Sequence, residues 1–137
     1  MTLVDSNVLL DVVTAGQHWA AWSEHQLERA ALSGPLMIND VIYAEVSARY
    51  EAFETLDQLL EENGIIVTPI PRAALFLAGK TFIRYRRAGG VRTGVLPDFF
   101  IGAHAAVERI PLLTRDTQRY RSYFPTVMLI APDDPSV

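Results

Sequence analysis

Short apolar runs recur along the chain at intervals too wide for a continuous helix and too regular for loops. They are Leu3-Val4 within residues 2–5, Leu36-Met37-Ile38, Ile65-Ile66-Val67, Leu112-Leu113 and Val127-Met128-Leu129-Ile130. Each reads as a buried strand. Longer stretches of mixed polarity lie between them and read as helices. Ser6-Asn7 offers capping side chains to a first helix through Val8-Leu9-Leu10 and Val12-Val13, which Gly16 breaks. A second helix is predicted from about Trp19 to Leu32, with Trp19, Trp22, Gln26, Arg29 and Ala30 marking one side, and Ser33-Gly34-Pro35 stops it. Asn39-Asp40 caps a helical segment over Val41 to Glu62 that breaks near Phe53, and Asn63-Gly64 closes it. Pro71 suits the first turn of a helix running to Arg87, and Pro97 opens another to about Val107. Strands alternating with helices in this way predict an α/β fold, a parallel sheet with helices on both faces.

Composition narrows the class. The 137 residues contain no repeat and no linker, which predicts one domain over residues 1–131 with a loose tail, 132–137, holding Pro132 and Pro135. No run of about 18 apolar residues exists, so no membrane span is expected. The N-terminus has no basic region ahead of its apolar run, so a cytoplasmic location is the default expectation. Cysteine is absent, which removes disulfides, thiolate zinc sites and cysteine nucleophiles.

Charge changes the picture more. The net charge of −4 hides two opposed halves. Residues 1–71 carry two Arg against eleven acids, a net of −9, and residues 72–121 carry ten Lys/Arg against three acids, a net of +7. Eleven of the twelve basic residues are Arg, whose planar fork matches phosphate oxygens. An anionic partner on one face is the implied reading. Arg84, Arg86, Arg87, Arg92 and Arg115 are the candidates to hold it, four of them flanking a glycine-rich loop at Gly89-Gly90 and Gly94.

Four acids stand where the chain switches from apolar to polar: Asp5, Glu45, Asp98 and Asp116. If the first and fourth runs are neighbouring parallel strands, Asp5 and Asp116 share one sheet edge, the edge where open α/β sheets bind ligands. Converging carboxylates repel unless cations join them, and a hard divalent ion, Mg²⁺ or Mn²⁺, is the natural guest. Each acid also has a structural reading. Asp5, Asp98 and Asp116 could cap helices or complement their dipoles. Glu45 could pair with Arg49 one turn on. Asp11 reads as solvent-facing. His104, among Phe100, Ile101 and Val107, reads as a packed histidine or one acting behind the acids. Trp19 and Trp22 read as core or interface anchors. No P-loop and no nucleophile elbow occurs.

Leu3-Val4-Asp5-Ser6-Asn7-Val8-Leu9-Leu10-Asp11, Glu45, Leu96-Pro97-Asp98-Phe99-Phe100-Ile101-Gly102-Ala103-His104-Ala105 and Leu112-Leu113-Thr114-Arg115-Asp116, followed by Tyr120 and Tyr123-Phe124-Pro125, together resemble a PIN-domain ribonuclease of the VapC-type toxin family. The resemblance spans the first strand to the last. It implies a three-layer α/β/α sandwich with a mainly parallel central sheet of four to five strands. It implies Mg²⁺- or Mn²⁺-dependent endonucleolytic cleavage of RNA, a homodimer, and a cognate VapB-type antitoxin that blocks the site. Asp5, Glu45, Asp98 and Asp116 carry over as the catalytic, metal-holding acids, and Asn7 and Thr114 as supporting polar groups. Two rivals stand beside this reading. One is a PIN-like RNA-binding or scaffolding domain that does not cleave. The other is a haloacid-dehalogenase-like phosphatase, which needs a second Asp where this chain has Asn7.

Overall fold

The computed structural model describes residues 1–15, 18–92 and 94–132. The predicted tail beyond Pro132 and the break at Gly16 lie outside the described residues. Five strands are present: β1 (Thr2–Val4), β2 (Leu36–Asn39), β3 (Ile65–Thr68), β4 (Leu112–Leu113) and β5 (Leu129–Ile130). All neighbouring pairs are parallel, in the order β3-β2-β1-β4-β5. The helices among the described residues are α1 (Ser6–Val13), α2 (Ala20–Ser33), α3 (Asp40–Ser47), α4 (Phe53–Glu62), α5 (Arg72–Arg87), α6 (Leu96–Glu108) and α7 (Gln118–Tyr123). None is long and apolar enough to cross a membrane. This is the α/β sandwich with a parallel sheet that the alternation of runs predicts.

The central strands are the apolar ones for a physical reason. Leu3, Val4, Ile38, Leu112 and Leu113 are wholly buried, because a parallel sheet covered on both faces leaves no wet side. β3 lies at an edge and differs: Ile66 and Val67 remain about half exposed. Several boundaries shift from expectation. Asp5 is not a strand residue. It is the N-cap of α1, its carboxylate accepting the Ser6 N–H. The segment over 41–62 does divide as expected, into α3 and an α4 that starts at Phe53, and Asn39 caps α3 by accepting the Ile42 N–H. Pro71 occupies the N-cap position of α5 rather than its first turn.

The strand order sets the site. The chain builds β1, β2 and β3 outward in one direction, then returns to place β4 on the other side of β1. Strand order therefore reverses between β1 and β4, and the loops leaving their carboxyl ends diverge. A crevice opens at such a point in doubly wound sheets. Asp5 leaves β1 there and Thr114 leaves β4 there. Gly102 lets the second half of the site close in. A Cβ at Gly102 would stand 2.4 Å from the Phe124 ring, so only glycine lets α6, which carries Asp98, pack against the end of α7.

Candidate active site

Asp5 is the most enclosed acid of the crevice, 3% exposed. Its Oδ1 accepts the Ser6 N–H at 2.7 Å. Its Oδ2 accepts the Thr114 hydroxyl at 2.8 Å and the Tyr120 hydroxyl at 2.9 Å. Asn7 Nδ2 stands 3.4 Å from the same oxygen, donates to Thr114 Oγ1 at 3.2 Å, and accepts the Arg115 N–H on Oδ1. Asn7 and Thr114 thus sit in one network with Asp5, tying β1 to β4 across the switch point. Burial pushes the Asp5 carboxyl above the usual range, opposed by the hydrogen bonds from Thr114, Tyr120 and Ser6.

Glu45 comes from α3 and does not meet Arg49. Its Oε1 accepts the Ser6 hydroxyl at 2.9 Å, which links α3 to the first residue of α1. Its carboxyl is raised by burial, against the Ser6 hydrogen bond, and further by the charges of Asp5 and Asp98. Asp98 lies in the first turn of α6. Burial and Asp5 raise its carboxyl, and Arg119, whose guanidinium donates to Asp98 Oδ2, lowers it without cancelling the rise. Asp116 follows β4 and is exposed, and its backbone N–H donates to Thr114 Oγ1. The fold therefore brings Asp5, Glu45 and Asp98 within reach of one another's charge, with the exposed Asp116 acting on Asp98. Among the described residues, no three His, Asp or Glu side chains share the spacing of a single ion's ligands.

Other expectations fare differently. Asp11 is not solvent-facing. It is buried, accepts the Ser23 hydroxyl at 2.7 Å, and takes Arg115 through two nitrogens at 2.5 and 2.8 Å. Arg115 also lies over the Trp19 ring at 5.2 Å, and Trp19 meets Trp22 edge-on. Arg115, expected to face an anionic partner, is thereby spent on binding α1 to the β4 loop. Arg84, Arg86, Arg87 and Arg92 are exposed, the first three in the last turn of α5 where they complement the helix dipole. His104 is fully buried, with Nδ1 3.1 Å from Asn39 Nδ2, and is packed as expected. Three site residues were not assigned roles from sequence: Ser6 bridging Asp5 and Glu45, Tyr120 closing over Asp5, and Arg119 on Asp98. Tyr120 followed the fourth motif, a weak signal; nothing local marks Ser6 or Arg119.

A parallel α/β sheet whose strand order reverses between β1 and β4, with Asp5 and its hydroxyl donors at that reversal, defines an open α/β fold of the kind that binds ligands at this edge. The PIN domain model matches residues 2–124, and the chain belongs to the PIN domain family. No curated protein sequence matches it. Among solved structures, the fold is similar to VapBC2 from Rickettsia felis bound to a DNA fragment from their promoter. That similarity has a TM-score of 0.73 at 17% identity, over 96% of this chain and 98% of that one. It is also similar to DNA-bound VapBC from Salmonella typhimurium, with a TM-score of 0.67 at 18% identity over 95% and 96% of the two chains. VapBC-1 from nontypeable Haemophilus influenzae gives 0.67 at 14% identity, again over 95% and 96%.

Proposed function

We propose that this chain is a Mg²⁺- or Mn²⁺-dependent endoribonuclease, the toxin of a toxin–antitoxin pair, acting through Asp5, Glu45, Asp98 and Asp116. The observation that carries the reading is a set of carboxyls at the switch point that the protein's own groups compensate only in part. Burial and mutual repulsion raise the carboxyls of Glu45 and Asp98, and burial raises that of Asp5. Among the described residues, Arg119 on Asp98 is the one salt bridge these acids make. The donors are all hard oxygens, which suits Mg²⁺ or Mn²⁺, and Mg²⁺ commonly takes one or two carboxylates and keeps several waters. The residues fit such an ion in charge and chemistry, as oxygen donors on separate elements that converge at one sheet edge.

Asp5, Glu45, Asp98 and Asp116 would hold the cation, whose Lewis acidity would lower the pKa of water and offset charge on a phosphate. The chain's own groups do the rest. Ser6, Thr114 and Tyr120 donate hydrogen bonds to the Asp5 carboxylate and oppose the rise that burial imposes on it. Ser6 also aims Glu45, so one hydroxyl couples two acids from different elements. Arg84, Arg86, Arg87 and Arg92 offer exposed guanidinium groups to the RNA backbone, contacts that position a strand without reading its sequence.

The acidic half supports a second assignment. A cleft of 530 Å³ between α1, α2 and α4 is lined by Leu9, Val13, Leu27 and Leu59, with Glu24 and Glu28 beside them. We assign it to an amphipathic, basic helix of a VapB-type antitoxin, as apolar grooves take such helices. The similar VapBC structures support this partner. The exposed Leu75, Phe76 and Ile83 on α5 suit a homodimer face. The cytoplasm, where RNA and antitoxin are made, is the matching location.

The test uses pure protein and labelled RNA with Mg²⁺, Mn²⁺ or EDTA. Metal-dependent cutting that Asp5→Asn and Asp98→Asn abolish, with melting temperature retained, supports the reading. RNA binding without cutting in any metal favours the non-cleaving rival.

A further inference from the structure

Consecutive residues of α7 address two of the four acids. Tyr120 turns inward to Asp5, and Arg119 beside it donates to Asp98. The Arg119–Asp98 pair is part-buried, with 20% and 26% of the two side chains exposed, so salt screens it less than a surface pair. The same guanidinium side chain forms part of the wall of an adjoining cleft of 430 Å³, together with Tyr85, Arg92, Asp116, Ser122 and Tyr123. Arg92 is delivered to that wall by a specific loop packing. Gly90 lies against the Tyr85 ring so closely that a Cβ would come within 2.4 Å of it, and the Arg92 N–H donates to the Tyr85 hydroxyl at 3.1 Å. Arg119 thus stands between two anion positions. One is the Asp98 carboxylate. The other is the cleft, whose wall holds the Arg92 side chain beside the Asp116 carboxylate, and a guanidinium's planar fork suits phosphate oxygens there.

We propose that Arg119 is a built-in competitor of the divalent cation for Asp98, and that when the cation takes Asp98 the guanidinium turns into the cleft and grips an RNA phosphate with Arg92. The inference rests on the nuclease reading above. Its physical basis is that a guanidinium and a divalent ion repel when they share one part-buried carboxylate. Arg119 therefore weakens metal binding. Because the displaced guanidinium becomes available to phosphate, metal and RNA are coupled through one side chain, and such coupling is reciprocal.

The experiment titrates the full chain with Mn²⁺ by electron paramagnetic resonance. Arg119→Gln is compared with wild type, with Arg119→Lys, and with Arg121→Gln, which removes the same charge from an exposed position on the same helix. Melting temperatures confirm that each variant folds. Arg119→Gln binds Mn²⁺ about tenfold more tightly, Arg119→Lys falls between, and Arg121→Gln matches wild type. At saturating Mn²⁺, Arg119→Gln and Arg92→Gln both raise KM for a labelled random-sequence oligoribonucleotide several-fold. Unchanged or weaker Mn²⁺ binding in folded Arg119→Gln overturns the competition, even if RNA is cut. Tighter Mn²⁺ with unchanged KM overturns the phosphate grip. Mn²⁺ binding to neither protein overturns both this inference and the nuclease reading.

Discussion

Tyr120→Phe isolates what holds Asp5. The substitution removes one oxygen and leaves the ring, which is 1% exposed and stays buried in the core. Burial and the charges of Asp5 and Asp98 push the Tyr120 phenol well above its ordinary value of 10.0, so it is a neutral donor throughout the working range. It donates at 2.9 Å to a carboxylate only 3% exposed. A hydrogen bond to a charged group contributes about 1.5–3 kcal/mol. Water cannot replace the lost donor in so enclosed a place, so the upper part of that range, roughly 2–3 kcal/mol, is expected. For a domain of this size, 1 kcal/mol shifts Tm by about 3–5 °C, which predicts a fall of roughly 6–15 °C. The pH dependence has a definite sign. The phenol stabilises the ionised form of Asp5, so its loss is felt in full above the raised Asp5 pKa and shrinks as pH falls through it. Urea unfolding across pH 4.5–8 measures this. A cycle with Thr114→Val should show coupling, because both hydroxyls donate to the same Oδ2. A Tyr120→Phe destabilisation below about 0.5 kcal/mol at neutral pH, or one that grows in acid, would refute the reasoning.

Glu45→Gln is expected to abolish cleavage yet raise the urea midpoint at neutral pH. The ionised Glu45 is penalised by burial and by Asp5 and Asp98, and the gain disappears as pH falls through its raised pKa toward the unfolded value. His104 works in the other direction. Burial lowers its pKa, so below about pH 6.5 the unfolded chain takes up a proton that the folded histidine refuses, and stability falls. His104→Gln flattens that acid limb, read as urea midpoints between about pH 5 and 7. Gly102→Ala forces a Cβ into the Phe124 ring and should cost about 1–3 kcal/mol by overpacking, read as a lower Tm. Phe76→Glu on the exposed face of α5 should convert a homodimer to monomer in light scattering while leaving Tm within a few degrees.

The site illustrates a conflict between stability and function. Three carboxylates are held where their charged forms are disfavoured, and the fold compensates with neutral hydroxyl donors around Asp5 and with Arg119 on Asp98. Sites arranged this way carry a stability cost that neutral substitution recovers at the expense of activity.

The sequence by itself determined the five strands, the helices from α1 to α6 and the parallel character of the sheet, and it marked the four acids as candidates; α7 was not among the predicted helices. Those properties are written locally: buried parallel strands must be short and apolar, and Asp5 follows the end of such a run. Contacts between distant residues were decided only by the tertiary structure. Asp11 reads as exposed from its neighbours on α1, yet Ser23 and Arg115 arrive from α2 and the β4 loop to bury it. Glu45 has Arg49 one turn away, yet its partner is Ser6, 39 residues earlier. Tyr120 and Arg119 are adjacent in the chain, but which acid each meets depends on how α7 docks beneath α6. A side chain's partners depend on the packing of whole elements, and local pattern carries no record of that packing.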